Sequence, residues 1–401
     1  GGVPSHDVSL LELTLKNVTY APITRSAGAS SSSGGGGTNR SSASRKTVLD
    51  NVTTSISPYR LSAWMGPSGS GKTSLITVAA GLNAGPKDLL DRSEIRSNGE
   101  PGAPPKRLVG VVWQDDLLLP NLTVEETVTF AARLKTAESV TNEEVAEIAS
   151  HTIEELGLEK VRRSLVGGGT ANSPGSTSRG ISGGERKRVS VAAELVTRPS
   201  VLLLDEPTSG LDATSARNLI ATLKDLANLG HSVAVVVHQP RTAIFEMFDD
   251  LLLLSRGRTV YAGDPAGARA CLESCPGVCP LPPQTGIADW MMDVIAHDEG
   301  REGGGMLSAH WEECKRSSQL EEGSEKFSLK RGRLSTLDEL SQEPKFKTGF
   351  WTQLRVLTRR AMRQQRGERI TRVAAYFTLA YTIFTGIMWW RLPDDTNRVH
   401  E

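Results

Sequence analysis

The chain alternates short apolar runs with polar stretches that contain Gly and Pro, a pattern typical of strands and helices joined by loops. Residues 11–20 alternate apolar and polar side chains and predict a strand, and residues 48–56 predict another. Continuous apolar runs predict buried strands at residues 61–65, 107–113, 201–204 and 232–237. These runs predict an α/β fold with a buried, parallel central sheet.

Helix start and stop signals lie between the predicted strands. Thr123 is placed to cap a helix that reaches about Lys135, with acidic residues in its first turn. Ser182 and Glu185 form a capping-box pattern at the start of a helix that is predicted to reach about residue 198, before Pro199. Further helices are predicted over residues 71–80, 142–156 and 213–229, each followed by glycine.

The stretch from residue 66 to residue 74 joins a predicted strand to a predicted helix and matches the phosphate-binding pattern G-x-x-x-x-G-K-[ST]. Its glycines let consecutive backbone N–H groups surround a phosphate, and the helix start adds the positive end of its dipole. The charge of Lys72 suits the β- and γ-phosphates, and the Thr73 hydroxyl suits Mg²⁺. The predicted nucleotide-binding residues of this loop are Gly66, Pro67, Ser68, Gly69, Ser70, Gly71, Lys72, Thr73 and Ser74.

Polar side chains follow three of the buried strands. Asp205 and Glu206 follow residues 201–204, where Asp205 is placed to hold Mg²⁺ and Glu206 to act as the general base for the attacking water. Two adjacent carboxylates would repel each other without a cation, which is a physical reason to expect the metal. His238 is placed to donate to the γ-phosphate, and Gln114 to reach Mg²⁺ or the water, although Gln114 alone would equally suit a surface position.

Two further features are candidates for contacts with the nucleotide. Gly183 and Gly184 leave the first amides of the helix behind Ser182 uncovered, and such a helix end binds anions. Tyr20, at the end of the first strand, is a candidate to stack on adenine, with plain packing as the alternative.

Composition narrows the classes of function. The chain of 401 residues has 46 basic and 46 acidic residues, so its overall charge predicts no nucleic-acid partner. Four cysteines do not make a disulfide framework. Cys271, Cys275 and Cys279 recur every four residues, but nearby Pro and Gly residues disfavour the alternative of a zinc site.

Taken together, these motifs resemble the nucleotide-binding domain of an ABC transporter. In that family's terms residues 66–74 resemble Walker A, Gln114 the Q-loop, Ser182–Glu185 the signature and Asp205 with Glu206 the Walker B end. Asp212 then resembles the D-loop and His238 the switch histidine. Four short sequences are similar to those of the G subfamily, the White/Scarlet/Brown-like half-transporters: residues 182–190, 238–240, 244–249 and 288–289.

The resemblance implies a P-loop NTPase of the ABC type over residues 8–298, with an antiparallel β subdomain and an α-helical signature subdomain. It implies ATP and Mg²⁺ as cofactors, with Thr73, Gln114 and Asp205 as metal ligands. It also implies a head-to-tail dimer, in which Ser182, Gly183, Gly184, Glu185 and Asp212 belong to the shared ATP sites. The sequence departs from the family at Trp113 (Tyr expected), at Gly286-Ile287 (Asn-Pro expected) and in the long Gly/Ser-rich stretch 167–178.

The remaining segments are polar or membrane-like. Residues 23–45 are rich in Ser and Gly and predict a disordered insertion, and residues 299–346 predict a charged linker with a short helix near residues 306–320. Residues 347–372 predict a basic amphipathic helix at a membrane surface, with a solvated helix face as the alternative. Residues 373–391 predict a first transmembrane helix, and the arginines before it place the ATPase domain in the cytosol.

The resemblance predicts an ATP-hydrolysing portion of a half-transporter that exports a lipid-like or small organic substrate. The family's membrane domain has six spans, so the chain is expected to be a fragment, a truncated product or an unusual short form. Homodimer and heterodimer leave the same motifs, and the substrate is not readable. Two alternatives are a soluble ABC ATPase of the translation-factor or DNA-repair type and a regulatory subunit that binds ATP without pumping.

Overall fold

A computed structural model describes residues 8–24, 44–82, 89, 92–167, 180–301, 304–321, 348–364 and 369–390. Its centre is a sheet of six strands in the order β12-β11-β5-β10-β9-β8. All neighbouring pairs are parallel except β11 with β12. The strands are β5 (Leu61–Met65), β8 (Val109–Val112), β9 (Val201–Leu204), β10 (Ser232–Val236), β11 (Asp250–Ser255) and β12 (Arg258–Gly263).

The predicted buried strands are confirmed, with one boundary corrected. The apolar run at residues 107–113 contains a short 3₁₀ turn, Lys106–Leu108, so the strand itself begins only at Val109. Side chains of β5 alternate between two cores: Leu61, Ala63 and Met65 face one, and Trp64 faces the other. Continuous apolar strands are required because both faces of the sheet are covered.

A second, antiparallel sheet has the order β4-β1-β6-β7. Its strands are β1 (Leu13–Tyr20), β4 (Leu49–Ile56), β6 (Glu94–Ser97) and β7 (Glu100–Pro101). Strands β2 (Ile23–Thr24) and β3 (Ser44–Arg45) pair with each other, so the predicted disordered insertion at residues 23–45 has paired ends. The rest of that insertion, residues 25–43, lies outside the described residues.

Helices cover the central sheet on both sides. The helices are α1 (Lys72–Ala79), α2 (Val124–Lys135), α3 (Asn142–Glu155), α4 (Gly183–Leu195), α5 (Ala213–Asn228), α6 (Thr242–Phe245), α7 (Pro265–Glu273) and α8 (Ile287–Gly300). Of these, α2 and α3 pack on each other and on α4. Capping boxes at Thr123, Thr141 and Ser182 start α2, α3 and α4. Helix α4 ends at Leu195, earlier than predicted, because Arg198 adopts a left-handed φ of 49° immediately before Pro199.

The ordered unit extends beyond the predicted boundary at residue 298. Helix α9 (Met306–Glu321) matches the short helix that was predicted near residues 306–320 within the charged linker. Its Leu307 is 2% exposed, and the Trp311 ring packs 5.1 Å from the ring of Tyr261. The buried carboxylate of Asp298 accepts the backbone N–H groups of Gly305 and Met306 at 3.1 and 3.2 Å. These contacts attach the start of the linker to the domain, while residues 322–347 lie outside the described residues.

The C-terminal amphipathic segment forms α10 (Phe350–Gln364), followed by α11 (Arg369–Trp390). Helix α10 packs on α2 and on the turn after it through polar groups. Arg363 pairs with Glu126 of α2 at 2.8 Å, and Thr352 donates to Glu138, in the turn between α2 and α3, at 2.6 Å. Within the described ranges, none of the helices combines the length and the hydropathy of a membrane span. The predicted span at residues 373–391 is therefore not confirmed, although a helix does occupy most of it.

A buried histidine gives the fold a pH dependence that can be measured. His231 is fully buried before β10, and its Nδ1 lies 2.6 Å from the carbonyl oxygen of Pro199, where the Nδ1–H tautomer donates. Burial lowers the pKa of His231 in the folded chain. The unfolded chain therefore takes up a proton as the pH falls below about 6.5 while the folded chain resists it, so stability decreases in that window.

We expect His231→Asn, which keeps a donor near Pro199 but cannot titrate, to remove part of this pH dependence. The measurement is the free energy of unfolding in urea at about pH 7.5 and about pH 5.5, either side of the ordinary histidine pKa. The exposed His297→Asn serves as the control, with the same loss on acidification as the parent chain. An equal loss in the His231 and His297 variants would contradict the account.

Candidate functional site

The loop between β5 and α1 requires glycine at defined positions. Gly66, Gly69 and Gly71 have φ values of 155°, 79° and 100°, in the region that side chains rarely adopt. A Cβ on Gly66 would lie 2.2 Å from the carbonyl oxygen of Leu254, and one on Gly71 would lie 2.6 Å from a methyl group of Leu49. The loop thus passes tightly against the neighbouring strands and leads directly into the first turn of α1.

Lys72 lies beneath this loop rather than on the surface. It is 5% exposed, and its Nζ donates to the carbonyl oxygens of Gly66 and Pro67 at 2.9 and 2.7 Å. Burial lowers the pKa of Lys72, and the carboxylates of Glu206 and Asp205 act in the opposite direction. The ammonium group is therefore held in the loop with acceptors that a phosphate oxygen could replace.

Thr73 and Asp205 meet across the start of α1 and the end of β9. The Thr73 hydroxyl donates to Oδ2 of Asp205 at 2.9 Å. Asp205 is 4% exposed, and its other oxygen, Oδ1, is buried without a hydrogen-bond partner. Burial raises the pKa of Asp205, and Glu206 adds to this, while Thr73 and Lys72 lower it. A hydroxyl beside a carboxylate with one free oxygen is a donor set that fits a hard divalent cation such as Mg²⁺.

Glu206 and His238 form the outer part of the same cluster. His238 Nε2 lies 3.1 Å from Oε1 of Glu206, and their side chains are 43% and 21% exposed. Glu206 has a left-handed φ of 45°, an uncommon conformation for a residue with a side chain. Such outliers cluster at functional sites, where the surrounding structure holds them in place.

Sheet order explains why distant residues meet here. Strands β5, β10 and β9 are parallel neighbours, so their carboxyl ends deliver the phosphate loop, His238 and Asp205 to one edge. Lys72, Asp205, Glu206 and His238 thus lie close together at this edge. Gln114 follows the next strand, β8, with an exposed side chain, and no described contact joins that side chain to the cluster.

The signature residues form an exposed helix tip. The Ser182 hydroxyl accepts the N–H of Glu185 at 3.3 Å, and the Glu185 carboxylate accepts the N–H and the hydroxyl of Ser182 at 2.8 and 2.7 Å. Ser182 and Gly183 are exposed, whereas a Cβ on Gly184 would lie 3.0 Å from the Cβ of Ser215. In the described part of the chain, the hydrogen bonds of this box stay within it and do not reach the phosphate loop.

Two predicted nucleotide contacts have structural roles here. Tyr20 is 8% exposed and belongs to the core cluster under the antiparallel sheet, which favours packing over the predicted stacking on adenine. Asp212 is exposed and caps α5, where Oδ2 accepts the N–H groups of Thr214 and Ser215 at 3.1 and 3.0 Å. A hydrogen bond from the Ser215 side chain, followed by those from the backbone N–H groups, lowers the pKa of Asp212.

The structure also reveals polar residues that the sequence reasoning missed. Lys187 is 5% exposed on α4, pairs with Asp116 at 3.0 Å and donates to the backbone carbonyl of Gln114. The helical spacing of Gly184, Lys187 and Val191 could have predicted that Lys187 is buried, because the three residues share the buried face of α4. A lysine on such a face needs an acceptor or a carboxylate.

Comparison with known proteins agrees with this geometry. Residues 49–209 match the ABC transporter family. ABC transporter G family member 25 of Arabidopsis thaliana is 36% identical over 387 residues, which cover 90% of this chain and 54% of that protein. Member 21 is 33% identical over 373 residues, covering 86% and 52%. The ABC-type transporter claG of Penicillium crustosum is 42% identical over 237 residues, covering 58% and 30%.

The chain therefore spans about half the length of the plant relatives it matches. The phosphate loop and the strand end at Asp205 both lie inside the range that matches the family. The chain belongs to the ABC transporter family and, with the G family members as its relatives, to the G family of these transporters.

Proposed function

We propose that this chain binds Mg²⁺·ATP at the phosphate loop and hydrolyses it, and that it serves as the ATPase portion of a half-transporter. The observation that carries the proposal is the buried Asp205 carboxylate. It is held by Thr73, has one oxygen without a partner, and lies beside a lysine ammonium group and the Glu206–His238 pair.

Binding would follow from groups that already point into the loop. The backbone N–H groups at the start of α1 suit the β-phosphate, and Lys72 would exchange its loop carbonyls for phosphate oxygens. Thr73 and Asp205 would hold Mg²⁺, with Gln114 as the predicted further ligand. When bound, the metal neutralises charge on the β- and γ-phosphate oxygens.

Hydrolysis needs a base and an oriented water. Glu206 extends beyond the buried strand end and is partly exposed, so its carboxylate can take a proton from a water that attacks the γ-phosphate. His238, 3.1 Å away, fixes the orientation of this carboxylate and can donate to the γ-phosphate once the nucleotide is present. The left-handed backbone at Glu206 keeps the carboxylate at the mouth of the site.

A single chain supplies half of each ATP site. The Ser182 tip is exposed and capped, and Gly183 has no side chain to cover it, which suits the tip to the γ-phosphate of an ATP held by a second chain. Head-to-tail pairing would place two tips over two loops, with either an identical chain or another half-transporter as the partner. Closure would assemble the sites, and hydrolysis would reopen them.

Transport and membrane attachment are parts of the same proposal. Helix α10 binds α2 and the turn after it with polar groups. Its apolar side chains face outward, with Phe350, Trp351 and Leu354 exposed by 69%, 77% and 45%. A basic helix with such a face suits a membrane surface, with the ATPase domain on the cytosolic side and a membrane domain following. The G family relatives are named as transporters, which supports a role in transport. That this transport exports a lipid-like or small organic substrate is the further part of the proposal.

The experiment is the release of phosphate from ATP by the purified chain, with and without free Mg²⁺. We expect turnover in Mg²⁺ that is abolished by an excess of EDTA and restored by added Mg²⁺, because Asp205 and Thr73 provide the metal's oxygen ligands. Binding of ATP without any turnover would favour the regulatory alternative. Turnover that is indifferent to EDTA would contradict the assignment of Thr73 and Asp205.

A further inference from the structure

A buried ion pair links the signature helix to the segment that carries Gln114. The Nζ of Lys187, in the second turn of α4, lies 3.0 Å from a carboxylate oxygen of Asp116 and also donates to the backbone carbonyl of Gln114. The hydroxyl of Ser190, one turn further along, donates to the same carboxylate at 2.8 Å. The side chains of Lys187 and Asp116 are only 6% and 15% exposed.

This pair joins elements that face different ATP molecules in the proposed dimer. The tip of α4 would contact the ATP of the neighbouring chain, whereas Gln114 follows β8 at the edge of the chain's own site. An ion pair with this little exposure is held in one geometry, because separating it leaves an unpaired charge in a desolvated place. Movement of α4 must therefore move Lys187, and with it the backbone at Gln114.

We propose that Lys187 is a positioning residue that couples the two ATP sites. In this inference, which rests on the proposed function, docking of the Ser182 tip on the neighbour's ATP sets the position of Gln114 in the chain's own site. Neither Lys187 nor Asp116 contacts the Asp205 cluster in the described structure, so both act through Gln114. Each site thereby responds to the occupancy of the other.

The same helix provides a matched control. Near the far end of α4, Lys135 pairs with Glu194 at 2.6 Å and donates to the carbonyl of Ala193 at 3.0 Å. This second pair also ties α2 to α4 through one lysine and one carboxylate, but it does not touch the Gln114 segment. Removing the Lys135–Glu194 pair shows how losing an ion pair on α4 affects turnover and stability when the link from Lys187 to the Gln114 segment is left intact.

The experiment compares Lys187→Met, the double variant Lys187→Met/Asp116→Asn and the control Lys135→Met in the full chain. The double variant removes both charges, so it avoids leaving a buried carboxylate without its cation. The first readout is ATP turnover against ATP concentration, giving kcat, the Hill coefficient and ATP affinity. The second is the hydrogen exchange of the amides of residues 113–117 with and without Mg²⁺·ATP.

We expect the Lys187 variants to lower kcat by about tenfold, within the usual range of coupling between sites, and to lose cooperativity while ATP affinity is kept. ATP should slow exchange at residues 113–117 in the parent and in Lys135→Met, but not in the Lys187 variants. Lys187→Arg can still pair with Asp116, so it should keep much of the parent's kcat, cooperativity and ATP-dependent slowing of exchange.

Equal kcat, cooperativity and exchange in the Lys187 and Lys135 variants would overturn the coupling role. The absence of any ATP-dependent change at residues 113–117 in the parent would also overturn it. A failure of the proposed function is seen separately, as a parent chain that releases no phosphate at all. The exchange measurement still decides the coupling in that case, because it needs ATP binding and pairing but no hydrolysis.

Discussion

Replacing Glu206 with glutamine is expected to lower ATP turnover by about 100- to 10,000-fold, the usual contribution of a general base. Glutamine keeps the shape of the side chain and can still contact His238, but it cannot accept a proton from the attacking water. ATP affinity should not fall, because Glu206 lies beyond the Thr73–Asp205 pair and the Lys72 ammonium group. Phosphate release and retention of labelled ATP measure the two effects separately.

The matched control is Glu246→Gln, an exposed glutamate that follows the short helix α6. It removes one negative charge from an exposed position outside the cluster, and its turnover should equal that of the parent. A Glu206→Gln variant that turns over ATP as fast as the Glu246 control would exclude Glu206 as the base.

Replacing Lys72 with alanine is expected to weaken ATP binding by about 10- to 100-fold, since hydrogen bonds to charged groups contribute roughly 1.5–3 kcal/mol. The ammonium group lies inside the loop, 2.9 and 2.7 Å from the carbonyls of Gly66 and Pro67, and is positioned for phosphate oxygens. Equilibrium binding of a fluorescent ATP analogue measures the change.

Lys72 also holds the loop in shape, so its loss could act through folding. Urea unfolding without nucleotide separates the two effects, because a purely structural loss appears there and a loss of phosphate contact does not. The control is Lys160→Ala, at an exposed position shortly after α3, and it should bind ATP as the parent does. If Lys72→Ala also bound ATP like the parent, the loop would not be the phosphate site.

Much of the candidate site could be predicted because it depends on local order. A strand, a glycine turn and a helix are adjacent in sequence, so residues 61–79 specify the phosphate loop by themselves. Asp205 and His238 could be placed because buried parallel strands bring their carboxyl ends to one edge. The capping box at Ser182 needs only residues three positions apart.

Contacts between distant segments could not be predicted in the same way. The pair between Lys187 and Asp116 depends on how α4 packs against the end of β8, which no local pattern encodes. The role of Tyr20 depended on its burial, which is set by the packing of the antiparallel sheet. The docking of α9 through Leu307 was hidden because its sequence is polar overall and carries few apolar positions.

The C-terminal segment shows the limit of an amphipathic pattern. The sequence predicted an amphipathic helix here, and apolar side chains of α10 such as Phe350 and Leu354 are exposed in the structure. It did not show that Arg363 would attach the opposite face to α2, or Thr352 to the turn after α2. An amphipathic pattern in the sequence identifies the apolar and the polar face of a helix, but the partner of each face depends on tertiary packing.

The central claim is that ATP bound in the loop of one chain is covered by the Ser182 tip of another. The most direct measurement is a structure of the Glu206→Gln chain with Mg²⁺·ATP, determined by cryo-electron microscopy or crystallography. We expect two ATP molecules between two chains, each with its γ-phosphate near Lys72 of one chain and the Ser182 tip of the second. ATP bound at Lys72 with the Ser182 tips facing solvent, or paired with each other, would contradict it.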